Sequence, residues 1–436
     1  MESSRRLLLT IAIVLLSCEL FAQPVDVEAL KAAGIRTLES KHLTLYTDLP
    51  PTPEVDELPK VFDLAIPQWA EFFQADAKRL ATWHVTACVM KDSNRFEEYQ
   101  LMPRKLPPFL HGLQRFDDIW VHEQPGAYYR RHLLLHEGTH AVMNRIFGRV
   151  GPVWYREGIA EMLGTHSYKD GKLRLNIFPA DRKQVEYWGR IKIIRDDIRK
   201  NGTRQIDQIV DLPTRAFLSS DSYAWSWALQ TLLHRRAEYA PICDALRKEM
   251  YRSERGVTRV FSREFQKHRS QLDLDWNLFI QHLDYGYDFS RETIVFSPTV
   301  EELTNEISTI TVDSAKPWQA TGLLIPANTT IEFAARGRYQ VAVEPKADGA
   351  KAWMCEPQGV TIEYYQGRPL GQLLAAIVPQ DASSKDSRFD PEVVGRRAKM
   401  TTKTGGQLFL RINERADRLG DNVGEITVRI RRAPAK

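Results

Sequence analysis

Two histidines one helical turn apart constrain this chain more than any other feature. They are His136 and His140 in the run His136-Glu137-Gly138-Thr139-His140. At about 3.6 residues per turn, positions i and i+4 share one helix face roughly 6 Å apart along the axis. Two imidazoles so placed can converge on a zinc ion at about 2.0–2.1 Å each. Glu137, one residue on from His136, is rotated by roughly 100° and points beside the metal. There a carboxylate can take a proton from water that the metal has activated. The apolar-rich run from Tyr128 to Leu135 predicts the helix that this chemistry requires.

A second segment completes the pattern. Sixteen residues separate His140 from Glu157, and Gly148, Gly151 and Pro152 break the chain between them, which predicts helix–turn–helix. Glu157 can close the coordination as third ligand. Glu161 falls four residues later on the same face, where a carboxylate can hold a ligand imidazole through its other ring nitrogen.

The run from His136 to His140, followed by Trp154-Tyr155-Arg156-Glu157-Gly158-Ile159-Ala160-Glu161, resembles the gluzincin metallopeptidases. It is most similar to the bacterial secreted proteins with a peptidase-MA-like domain, and more distantly to aminopeptidase N and thermolysin. The resemblance implies His136, His140 and Glu157 as zinc ligands, Glu137 as general base and Glu161 as the carboxylate behind the ligands. The aminopeptidase-N relatives place the third ligand two residues further on. They also carry a Gly-Ala-Met-Glu-Asn-like segment that binds a free amine. Here the nearest string, Pro125-Gly126-Ala127-Tyr128-Tyr129, lacks the glutamate, which favours internal peptide bonds over terminal ones. The segment Asp118 to Glu123 resembles the sheet-edge strand that lies along the substrate. Tyr223, 66 residues after Glu157, resembles the oxyanion-binding tyrosine of the aminopeptidase-N-like enzymes; packing with Trp225 and Trp227 on an amphipathic helix is the other reading. His166 reads as structural or exposed.

The chain begins with Arg5-Arg6 and the apolar run Leu7 to Leu16, the pattern of an export signal and too short to span about 30 Å of hydrocarbon. Cleavage after Ala22 gives exported protein, periplasmic or extracellular. Leu15-Leu16-Ser17-Cys18 resembles a lipobox, and lipidation at Cys18 is the one route to a membrane. After cleavage at Ala22, Cys88, Cys243 and Cys355 remain, enough for at most one disulfide. The formal net charge of +4 is mild, and charged runs such as Arg195 to Lys200 are mixed in sign. Nothing marks a nucleic-acid binder.

Strands are expected from His42 to Thr47 and His84 to Met90, with helices from Val55 to Phe73 and from Asn94 to Tyr99. After the motif the chain reads as helices over Arg182–Asn201, Tyr223–Arg236, Ala240–Arg252, Val257–Gln266 and Leu274–Leu283. Past about Ser297, short strands at regular spacing with Gly/Pro turns indicate a β-sandwich. They include Leu323–Ile325, Thr330–Ala334, Val360–Tyr364, Gln407–Ile412 and Ile426–Ile430. Pro379 to Pro391 reads as an exposed loop. The expected organisation is a leader over 1–22, an α+β zincin-like catalytic domain over 23–290 and an all-β sandwich over 291–436.

Several segments of the β half, among them Trp318 to Gly322, Cys355 to Val360, Gly367 to Leu373 and Leu410 to Gly424, resemble the galactophilic calcium-dependent lectins. That resemblance implies a closing loop in which Glu414, Asp421 and Asn422 supply oxygens to calcium, with the main-chain oxygen of Tyr339 as a further ligand. The alternative is a hairpin with Asp/Asn turn chemistry. Glu414 replaces the family's aspartate, and Arg418 puts a cation nearby. The sequence thus points to an exported zinc metallopeptidase acting on peptide or protein substrates, with an accessory β domain for carbohydrate or surface attachment. A glycan-binding surface protein with an inactive zincin domain is the competing reading.

Overall fold

The computed structural model describes residues 27–149, 151–346, 349–379 and 389–434. The expected leader, both of its exits and Cys18 lie outside the described residues, as does most of the loop expected from Pro379 to Pro391. The N-terminal half is organised by a five-stranded sheet. Its strands are β1 (Arg36–Glu39), β2 (Leu43–Thr47), β3 (Val85–Met90), β4 (Gly112–Arg115) and β5 (Asp118–His122), in the order β1-β2-β3-β5-β4. The β2–β3 and β3–β5 pairings are parallel, and the outer pairs are antiparallel. A parallel pair needs a crossover, supplied between β2 and β3 by helix α1 (Leu58–Phe73). One face of α1 is buried through Leu58, Val61, Phe62, Ala65, Trp69 and Phe73. Burying each such leucine, valine or phenylalanine stabilises the fold by about 1.5–3 kcal/mol.

The sheet edge is not where the sequence put it. Asp118–His122 is β5, an inner strand, and β4 is the edge, hydrogen-bonded to it in antiparallel register from Gly112↔Val121 to Arg115↔Asp118. β5 has the apolar run of a buried strand. Gly112-Leu113-Gln114-Arg115 has little strand character of its own and owes its conformation to the pairing.

Helices α2 (Ala127–Phe147) and α3 (Val153–Gly164) follow. Gly148 ends α2 in the left-handed conformation at φ 69°, which a residue without Cβ adopts at little cost. Then come α4 (Arg190–Asn201), α5 (Ser220–Arg235), α6 (Ala240–Met250) and α7 (Glu254–Gln281). The helix expected from Arg182 starts at Arg190, after a short 3₁₀ turn and Gly189 at φ 63°. The two helices expected over Val257–Gln266 and Leu274–Leu283 are one 28-residue helix, because the polar stretch between them contains no Gly or Pro to break it.

The C-terminal half is built mainly of antiparallel sheets. Strands β6 (Ser308–Asp313), β7 (Gln319–Ile325), β8 (Thr330–Arg336), β9 (Leu373–Val378), β10 (Arg397–Thr401), β11 (Gly406–Ile412) and β12 (Glu425–Arg432) supply most of it. One sheet is centred on β9-β11-β7, and the other has the order β10-β8-β12-β6. Alternate residues such as Ile331, Phe333, Val428 and Ile430 are buried in the core that the two sheets share with Leu408 and Leu410. This half meets α7 through Leu274 and Leu278, which pack with Trp318, Leu374 and Phe409. The same junction carries a buried ion pair, Arg411 Nη1 to Glu292 Oε1 at 2.5 Å. Cys88, Cys243 and Cys355 are free thiols. Among the described residues no helix is long and apolar enough to cross a membrane.

Candidate metal centre

The site is made where α2 and α3 face each other. His136 and His140 lie on one face of α2, and Glu157 and Glu161 on one face of α3. Glu157 Oε2 lies 3.3 Å from His136 Nε2 and 3.2 Å from His140 Nε2. Three ligand atoms held about 2.1 Å from a tetrahedral centre are roughly 3.4 Å apart. The three side chains form a group able to hold a divalent metal ion, and they are almost wholly buried.

Close packing brings a third helix to the site. A Cβ on Gly158, in the Glu157 segment, would come within 2.6 Å of the Ser226 carbonyl oxygen on α5. Only glycine lets α3 and α5 approach this closely. That approach places Tyr223, one turn before Ser226, over the cluster, its ring centroid 6.1 Å from that of His136. Phe217 packs against the other side of Tyr223 at 5.4 Å. Burial raises the Tyr223 pKa, and the Glu157, Glu137 and Glu161 charges raise it further. The phenol thus stays a donor in this setting.

Glu137 is buried against the edge strand. A Cβ on Gly112 of β4 would stand 2.6 Å from Glu137 Oε1, so glycine at that position makes room for the carboxylate. Burial raises the Glu137 pKa, opposed by His136 and His140. An open cleft of about 420 Å³ joins these groups, lined among others by His111, Gly112, Tyr129, Arg156, Phe217 and Tyr223.

A second tier sits one turn earlier on α2 and one turn later on α3. His132, four residues before His136, has Nε2 3.3 Å from Glu161 Oε2, and Glu161 Oε1 is 3.5 Å from His136 Nδ1. His132, His136 and Glu161 thus form a second group able to hold a cation. Here, however, Arg190 of α4 forks onto Glu161, with Nε 2.8 Å from Oε2 and Nη2 2.7 Å from Oε1. Burial works against the charge of Glu161, yet Arg190 and His132 hold its pKa well below the ordinary carboxylate range. In the first tier burial likewise opposes Glu157, while His140 and His136 keep it ionised. Burial also opposes a charge on His136, but Glu157, Glu161 and Glu137 push its pKa up to about 9. Without a metal, this pocket of carboxylates draws a proton onto an imidazole.

The structure brings His136, Glu137, His140, Glu157, Glu161 and Tyr223 together. Sequence reasoning missed His132, although its spacing from His136 repeats that of His136 from His140. It also missed Arg190, Gly112, and Arg156, whose Nε lies 2.9 Å from Glu157 Oε1. His166 is structural: it is buried, stacked on Tyr128 at 4.6 Å, and burial lowers its pKa to about 3.

In the β half, Glu414 and Asn422 meet, with Asn422 Nδ2 donating to Glu414 Oε2 at 2.7 Å. Asp421 is exposed and accepts from the Val343 amide at 3.2 Å. Arg418 pairs with Glu363. Burial, reinforced by Asp421, pushes the Glu414 pKa up to about 8, and Asn422 Oδ1 is buried without a hydrogen-bond partner.

No family model matches the chain. No curated protein matches it either. Among solved structures it matches one described as the EclA N-terminal domain, a PllA-like lectin, at 21% identity and a TM-score of 0.22, covering 30% of this chain and 98% of that one.

Proposed function

We propose that this protein is an exported zinc-dependent metallopeptidase of the gluzincin type, with an accessory β domain, and that residues 23–290 carry the chemistry. The observation that carries this reading is Glu157 Oε2 lying 3.3 Å from His136 Nε2 and 3.2 Å from His140 Nε2, beside a buried carboxylate and a tyrosine on one cleft. Zinc, when bound, supplies the Lewis acidity that polarises a carbonyl and makes water a nucleophile near neutral pH. Glu137 takes the proton from that water and passes it to the leaving amine. Its raised pKa suits both halves of the task. Tyr223 donates to the oxygen of the scissile carbonyl as charge develops there. Glu161, fixed by Arg190, lies 3.5 Å from His136 Nδ1, where its charge would orient the ring and leave Nε2 for the metal. The unpaired edge of β4 beside Glu137 lets an extended peptide lie along the cleft, which favours internal cleavage.

The test is peptide-library digestion by zinc-loaded protein. Glu137→Gln is expected to keep its zinc and lose hydrolysis by a factor on the order of 10²–10⁴. Full activity in that variant contradicts the mechanism.

The Glu414 loop supports a second, separate proposal: a calcium site formed by Glu414, Asp421 and Asn422, serving carbohydrate attachment. What favours it is a buried carboxylate beside an unpartnered amide oxygen. Millimolar calcium is then expected to raise the melting temperature in wild type and not in Glu414→Gln. No shift in wild type removes calcium from the account.

A further inference from the structure

The outward face of the sheet β10-β8-β12-β6 is cationic for a reason that fold stability does not supply. Register places Ala334 of β8 between Arg397 of β10 and Arg429 of β12. One row along, Glu332 lies between Lys399 and Arg431 and pairs with both. One row the other way is Arg336. Arg336, Arg397 and Arg429 are exposed and have no ion-pair or hydrogen-bond partner among the described residues. Strands are about 4.8 Å apart, so Arg397 and Arg429 stand roughly 10 Å apart across the small Ala334. The trough between them has a volume of about 600 Å³.

Arginine and lysine on an edge strand commonly guard against edge-to-edge pairing. That account covers Arg397 and Lys399 on β10. It does not cover Arg336, Arg429 and Arg431, which are on the inner strands β8 and β12. Like charges held on a rigid face at fixed spacing repel one another and favour a polyanion that neutralises them.

We infer that this face binds an extended acidic polysaccharide, carboxylated or sulfated, at a site separate from both the metal centre and the Glu414 loop. Guanidinium forks match carboxylate and sulfate oxygens in planar pairs. The face also carries threonine hydroxyls, Thr309, Thr311, Thr330, Thr401 and Thr427, which suit sugar hydroxyls, and its carboxylates Asp313 and Glu425 lie together at one end, beyond Thr311 and Thr427 and away from Arg397 and Arg429. None of the outward-facing residues of the four strands is aromatic, so a single-stranded nucleic acid finds no surface on which to stack. Ile307 at the rim is the one exposed large apolar side chain lining the trough, too little to anchor the face in a lipid surface. The backbone groups of the inner strands β8 and β12, which carry Arg336, Arg429 and Arg431, are used within the sheet and offer no pairing to an acidic peptide laid across them.

The test is retention of the full chain on immobilised heparin and on polygalacturonate, in EDTA, against rising salt. Wild type is expected to bind at least one of the two. Arg397→Glu with Arg429→Glu is expected to weaken binding by about tenfold or more, since hydrogen bonds to charged groups are each worth about that factor. Its salt slope is expected to fall by roughly one for each lost contact. Arg255→Glu with Arg259→Glu, exposed on α7 and equal in charge change, is the control and keeps wild-type retention. No retention of wild type on either matrix overturns the inference, and so does equal loss in the control pair. Binding abolished by EDTA assigns retention to the loop instead. Tighter arginine-dependent binding to single-stranded DNA, anionic vesicles or polyglutamate assigns the face to another polyanion and overturns the polysaccharide.

Discussion

Two triplets of the same composition, His136/His140/Glu157 and His132/His136/Glu161, sit one helical turn apart on the same pair of helices. What separates them is an arginine. Arg190 satisfies both oxygens of Glu161, so that carboxylate already has a counter-charge. Glu157 receives one guanidinium nitrogen on Oε1 from the half-exposed Arg156, and Oε2 is left facing two imidazoles. Two groups of identical composition thus differ in charge balance through one neighbouring arginine.

The largest expected effect is in the first tier. His140→Ala removes a ligand, and tightly bound zinc is expected to vanish from elemental analysis along with activity. Tyr223→Phe is expected to keep zinc and KM while kcat falls by about 10²–10³. An unchanged kcat returns Tyr223 to a packing role. In the second tier, Glu161→Gln is expected to weaken zinc binding only by about 10–100-fold, the usual cost of losing a group behind a ligand. Complete loss of zinc in that variant would erase the distinction between the tiers. Arg190→Met strands a buried carboxylate and is expected to cost about 3–5 kcal/mol in urea unfolding.

The smallest effect is a pH dependence of the metal-free chain. The folded pKa of His136, about 9, lies above the unfolded value of about 6.5. A raised pKa contributes stability that is fully present below pH ~6.5 and is lost as pH rises through about 9. EDTA-treated protein is expected to lose stability across that window, and zinc-loaded protein to lose much less. A flat profile without metal contradicts the charge balance described for the first tier.

Much of this site was legible because helical periodicity is local. Four of the five residues in the two tiers were named from spacing alone, and the fifth, His132, obeys the same rule. Arg190 was not legible, because it follows Glu161 by 29 residues and meets it only through the packing of α4. The edge strand was misplaced for a related reason. The apolar run Ile119-Trp120-Val121 marks a buried strand, whereas β4 carries no such run and is a strand only beside β5. The sequence suggests two helices within α7 because the stretch 267–273 between the two apolar-periodic runs is polar, although it lacks a breaking residue. The change from helical to strand periodicity past Ser297 was read correctly, since alternation is as local as the helical repeat. The cationic face of β10-β8-β12-β6 was invisible, because its arginines are distant in sequence and converge only in the register.

The most direct test is diffraction from zinc-loaded crystals on the two sides of the zinc absorption edge. One anomalous peak per chain is expected, within about 2.0–2.2 Å of His136 Nε2, His140 Nε2 and a Glu157 oxygen, with Arg190 still forked onto Glu161. A peak between His132, His136 and Glu161, or no peak with all five side chains in place, contradicts it.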